Sequence, residues 1–255
     1  MDSEKLKQLL ERAFTNVSPS TVIMADPQIV NELIREKSPL IVMKSPKPVK
    51  EELIDLYDIR KFAALEIVDK IPVILDKDRH SIQRLYDEIK ECIYFGVNGA
   101  AITLCGVMVE YVLKYVVYHW DIAELTVEFN SEKWDCLEEN TSLHNAIDKA
   151  KSLGIIKDCE AVNLIDYKET IRNPYNHYNI KKLVKNIVCP VQCVDLKTEC
   201  VESKEILAED DPAFYAIAKE WRDKQSVMPI FIQTYNVTRS LLYRLDEHWS
   251  NKNKI

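Results

Sequence analysis

A chain of 255 residues is long for one small helical domain and permits one large domain or two. Apolar residues make up 47%, enough for a packed core, and no stretch reaches about 18 uncharged apolar residues, so no membrane span is expected. Asp and Glu number 41 against 34 Lys and Arg; the resulting net charge of −7 weighs against broad electrostatic binding to nucleic acid, but not against an enzyme that grips a few phosphates.

The N-terminus, Met1-Asp2-Ser3-Glu4-Lys5, has no basic region leading into an apolar stretch and does not resemble a secretory signal. Ser3 can cap a helix over 3–12, and Asp26-Pro27 opens another to about Lys37. Residues 39–43 form a short β-like run closed by Ser45-Pro46-Lys47-Pro48. A helix follows from about Val49 to Lys70, with Leu53, Leu56, Ile59, Phe62 and Leu65 on recurring faces. Residues 1–75 carry no recognisable chemistry and are expected to be a mostly helical accessory region, open to a protein partner.

Residues 76–255 are expected to form a helical bundle. Ile82, Leu85, Tyr86, Ile89, Cys92 and Ile93 make one stripe over 79–95. Gly96 and Gly99 bracket a turn, and the helix 99–120 is apolar nearly all round, as a buried central element should be. Gly106 inside it points to close helix packing. Glu110 interrupts the same helix and requires a partner. That partner is either a neighbouring helix that merely satisfies it or the arginine of a functional site. Residues 121–141 read as a polar connection containing Trp134, and a helical pattern resumes at 143–153.

An amphipathic run over 158–170 leads to Arg172-Asn173-Pro174-Tyr175-Asn176-His177. Pro174 should stop or bend a regular helix near Asn173, placing Arg172 and Asn173 on its last turn and His177 just beyond. Arginine presents five donors suited to phosphate, and histidine titrates near neutral pH. Together they suit chemistry on a phosphodiester. Lys168, Lys181, Lys182 and Lys185 cluster nearby in sequence and are candidate phosphate contacts, or else an ordinary solvated face.

After the motif, residues 180–184 read as a continued helix, then Cys189, Cys193 and Cys200 mark a small irregular or β-like excursion. Three cysteines without a fourth ligand nearby do not make a structural zinc site, so no metal is expected. Residues 209–221 read as a short helix, and residues 227–249 as a helix that closes the bundle. The seven cysteines are scattered, and Cys92, Cys105 and Cys159 lie in apolar runs, so the chain reads as reduced and cytoplasmic. No phosphate-binding glycine loop or dinucleotide fingerprint occurs, and no cofactor is expected.

The segment Arg172-Asn173-Pro174-Tyr175-Asn176-His177 resembles the signature of the HEPN superfamily, an arginine and a histidine separated by four to six residues, often with asparagine after the arginine. Residues 100–114, which include Glu110, resemble its glutamate-bearing second helix, and Leu153-Gly154-Ile155-Ile156 resembles the turn before its motif helix. The resemblance covers roughly residues 78–185 plus a closing helix after 226. It implies a four-helix up-and-down bundle, a homodimer and a metal-independent ribonuclease, in the setting of a toxin or an antiviral defence effector. It implies catalytic roles for Arg172, His177 and Asn173, with Glu110 and Tyr178 in support. The alternative is a non-catalytic helical module that dimerises or binds RNA or protein. Nucleotide transfer would require a tyrosine two positions after His177, where Asn179 stands.

Overall fold

A computed structural model describes residues 22–24, 49–73, 75–121, 130–195 and 200–252. The helices expected over 3–12 and 26–37 and the run 39–43 lie outside the described residues. The fold is mainly helical, with a short β excursion before the last helix. The chain divides into two compact units, one of residues 1–56 with 180–221, the other of residues 57–179 with 222–255. The expected single cut at 75/76 therefore differs from the contacts: residues 57–75 belong with the bundle, and the excursion 180–221 does not.

The reason lies in strand pairing. Strand β1 (Val22–Met24) runs parallel to β2 (Val188–Asp195), with Val22 opposite Val191. Strand β3 (Cys200–Leu207) pairs antiparallel on the other side of β2, from Val188↔Leu207 to Asp195↔Cys200. Pro190 has no ladder donor, and it falls one residue outside the β1 pairing. Val184, Cys189, Val191, Ala208, Phe214 and Ala218 make a small core of their own in this unit. The side chains of Cys193 and Cys200 lie outside the described residues.

The larger unit is the helical bundle. Helix α1 (Val49–Ile67) enters it, and Phe62 and Leu65 on its face remain exposed. Helix α2 (His80–Tyr94) buries Ile82, Tyr86, Ile89 and Ile93, the expected stripe. It ends where Gly96, at φ +67°, lets the Val97 amide reach the Cys92 carbonyl at 2.8 Å. Helix α3 (Asn98–Asp121) is the central element: Ala101, Ile102, Cys105, Met108, Val109, Val112, Leu113, Val116 and Val117 are all buried. The stretch Asn98–Trp120, which carries Glu110 and Lys114 and so is not an uncharged run, is by length and composition apolar enough to cross a membrane; 61% of its most apolar window is buried inside the fold, as in a core helix.

The polar connection contains a helix that the hydrophobic pattern does not reveal, α4 (Ser131–Asn140). Asn130 caps it by accepting from the Lys133 amide at 2.9 Å, and Trp134 meets Tyr111 and Tyr118 edge-to-face. Helix α5 (Leu143–Ser152) follows, capped by Ser142, and then α6 (Asp158–Tyr167). A π-helical segment (Lys168–Arg172), helix α7 (Asn173–Asn176) and the short helix α8 (Ile180–Leu183) come next. The last two expected helices are one, α9 (Tyr215–Lys252), with Pro229 inside it. Tyr86 of α2 stacks on Phe231 of α9 with centroids 5.5 Å apart, so α2, α3, α6–α7 and α9 share one core.

Candidate active site

The helix does not stop at Pro174. A proline ring clashes with the carbonyl four residues back and cannot donate to it. The chain answers by widening into the π segment, in which the Asn173 amide donates to the Lys168 carbonyl five residues back. Pro174 then occupies the first turn of α7, where a missing amide hydrogen is tolerated. Arg172 thus ends the wide turn, Asn173 begins α7, and His177 caps its end, its amide donating to the Asn173 carbonyl at 3.0 Å.

The wide turn presses on α3, where Gly106 faces it. A Cβ built on Gly106 would stand 3.1 Å from Arg172 Cγ and 3.4 Å from its Cα, so the glycine is the space into which the arginine stem fits. One helical turn along α3 from Gly106 is Glu110, and one turn further is Lys114. Arg172 donates to Glu110 Oε2 from Nη2 at 2.7 Å and from Nε at 3.1 Å. Lys114 Nζ pairs with the other oxygen, Oε1, at 3.1 Å, and also donates to the Glu138 carbonyl of α4 at 2.9 Å. The partner that Glu110 requires is thus Arg172, on the neighbouring motif segment, with Lys114 on its other oxygen.

The charge balance follows from these pairs. One carboxylate stands between two cations, and Lys114, the more enclosed of them, takes up one face of it. The cluster retains one positive charge, carried to the surface by Arg172, whose side chain is 22% exposed. Arg172 Nη1 donates to Asn173 Oδ1 at 3.1 Å. Three of the five guanidinium N–H donors are therefore committed, leaving two that can meet an anion. Asn173 Nδ2 reaches Glu169 Oε2 at 3.4 Å, and Glu169 also pairs with Lys168 at 2.7 Å.

Glu110, Arg172 and Asn173 are thereby brought together, and Lys168 adjoins them through Glu169. His177 is exposed, and its imidazole makes no hydrogen bond to another of the described residues. Tyr178 follows it at φ +47°, 66% exposed. Lys181, Lys182 and Lys185 are exposed too, but they belong to the other unit.

Two anchors escape the sequence reading. Lys114 is visible only as a second charge four residues from Glu110 on the same face. The Tyr175 hydroxyl donates to Asp223 Oδ1 of α9 at 2.6 Å, fixing the motif helix to the bundle. Burial and the adjacent carboxylate push the Tyr175 hydroxyl well above the usual tyrosine range, so it stays a donor. Asp223 is 48 residues away in sequence, and no local signal links the two.

No protein-family model matches the chain, and neither a curated protein nor a solved structure does.

Proposed function

We propose that the chain is a metal-independent endoribonuclease of HEPN type. The observation that carries this reading is the motif's arrangement: a positively charged, partly exposed Arg172 held by Glu110, and an exposed His177 at the far end of one short helix. RNA brings its own nucleophile. The 2′-oxygen attacks phosphorus as its proton passes to an imidazole, the P–O5′ bond breaks, and the leaving oxygen takes up a proton. The products are a 2′,3′-cyclic phosphate and a 5′-hydroxyl. Arg172 offers its two remaining donors to the phosphorane oxygens, which gather charge in the transition state. Asn173 holds the guanidinium in plane, and Lys168, joined to the cluster through Glu169, is a phosphate contact beside it. A toxin or defence effector is the setting this activity fits.

Purified protein is expected to cut single-stranded RNA in EDTA and to leave DNA of the same sequence intact, because DNA lacks the attacking hydroxyl. His177→Ala should slow cleavage by about 10²–10⁴-fold while circular dichroism remains that of the wild type. Equal cleavage by wild type and the folded variant would assign the activity elsewhere, and cleavage that requires a divalent metal would sink the mechanism.

A second reading rests on the same ion pair. Arg172 bonded to Glu110 and Asn173 is also how a purely structural arginine is held, and the module then binds RNA or protein without cutting it. In that case Arg172→Ala lowers stability, and neither the variant nor the wild type yields cyclic phosphate.

A further inference from the structure

The bundle holds a cleft of ≈ 270 Å³ between α3, α6 and α9. Its floor is apolar and includes Val109, Leu164, Tyr167 and Leu241. Its mouth carries Asn163, Gln233, Asn236 and Ser240, all exposed, and none of these four side chains is hydrogen-bonded to another described residue. One end is closed by Arg244 and Glu160. Arg244 Nη2 donates to Glu160 Oε1 at 2.6 Å, and Nη1 donates to Glu160 Oε2 at 3.0 Å and to the Ile155 carbonyl at 2.8 Å. Three of its five guanidinium N–H donors are thus committed to protein acceptors, and the carboxylate neutralises its charge.

Each of these facts restricts what could enter. The volume lies just below the roughly 300–1,000 Å³ of drug-sized pockets, so it suits one small ring system rather than a chain. The lining has no net charge, so neither a phosphate nor a carboxylate is favoured there. Three carboxamides and a hydroxyl offer donors and acceptors side by side, which matches a flat ligand edge with the same alternation. A guanidinium held in place and neutralised in this way still offers its face, and unstacked bases are held on guanidinium planes and read along their edges.

We infer that this cleft is a nucleobase subsite, taking one unstacked base of a single-stranded RNA with its edge toward Asn163, Gln233 and Asn236. The inference rests on the ribonuclease reading for its substrate. Two of these helices lead to the motif: Val109 adjoins Glu110 on α3, and Tyr167, the last residue of α6, immediately precedes the π segment that ends at Arg172. Five residues of helix correspond to about 7.5 Å of rise, so a base seated here belongs to a nucleotide close to the scissile phosphate. Such a site would give cleavage a base preference at one position.

The test uses uncharged ribonucleosides, which have no phosphate to be drawn to Arg172 or the lysines. Adenosine, guanosine, cytidine and uridine are titrated singly and binding is followed by saturation-transfer NMR. At least one should bind saturably. Asn236→Leu should weaken it about tenfold, the worth of one good polar pair. Ser240→Trp, which fills the mouth, should abolish it, and His177→Ala should leave it unchanged. No saturable binding by any of the four up to about 10 mM, or binding indifferent to Ser240→Trp, would overturn the subsite. So would a Ser240→Trp variant that dissociates an oligomer while the wild type binds no nucleoside, since a second copy then covers the cleft. Nucleoside binding by a protein that cuts no RNA would keep the subsite and defeat the ribonuclease reading, so the two fail separately.

Discussion

At the scale of single residues, Tyr178 takes a left-handed backbone conformation that suits glycine; Asn186, at φ +61°, shares it among the described residues, but asparagine tolerates it. Three helices end in the same way, with an amide two residues past the cap reaching back into the last turn: Val97 to Cys92, Ile155 to Ala150 and Asn179 to Pro174. The pivot of the first two is a glycine, at Gly96 and Gly154, and of the third a tyrosine at φ +47°. A side chain in the left-handed region costs roughly 1–2 kcal/mol, and glycine gives back about 0.5–1 in chain entropy. Tyr178→Gly is therefore expected to raise the unfolding free energy by about 0.5–1 kcal/mol in urea denaturation. A loss of stability would mean that the contacts of the tyrosine side chain outweigh the backbone strain. If the variant is more stable but cleaves more slowly, the tyrosine beside His177 is kept for function at the expense of the fold.

At the scale of elements, the site depends on how closely the π segment approaches α3. Gly106→Val puts branched carbon where Arg172 Cβ stands 3.3 Å from an added Cβ, so the wide turn must move outward and take the guanidinium off Glu110. The expected cost is about 1–3 kcal/mol by thermal unfolding, together with a loss of cleavage. Unchanged stability would show that the contact is not tight. Apolar periodicity placed α2, α3 and α5 to within a residue or two, since each buries a continuous stripe. It missed α4, which is attached largely through Trp134 and has no stripe to read. It split α9, because polar residues and Pro229 interrupt a helix that in fact continues. At the motif, the proline correctly announced an irregularity, but a break and a widened turn have the same sequence signature. The partners Glu110 and Arg172 were legible as a buried charge and a motif; Asp223, joined to Tyr175 only by tertiary contact, was not.

At the scale of the whole molecule, pH tests the packed end of the bundle, and stoichiometry tests the site. His119 lies 4.2 Å from the Tyr115 ring and edge-on to Trp249, and burial, aided by nearby Arg79, holds its pKa down to about 4. A histidine that charges more readily unfolded than folded leaves stability intact above about pH 6.5 and withdraws it as pH falls toward 4. Denaturation midpoints should therefore drop between pH 7.5 and 5, and His119→Phe should flatten that drop; parallel curves would place the titration elsewhere. Stoichiometry follows from the proposed chemistry. Cleavage needs one group to take the 2′-proton and another to protonate the 5′-oxygen, and each chain offers one exposed motif histidine. A two-fold axis bringing two Arg172–His177 motifs face to face supplies both. Light scattering should give twice the 29.6 kDa chain mass. Wild type refolded with an equal amount of His177→Ala should then retain about a quarter of the activity, the share of wild-type pairs, if a site needs both histidines. A monomer that cleaves RNA, or a mixture that keeps half its activity, would mean that each motif works alone.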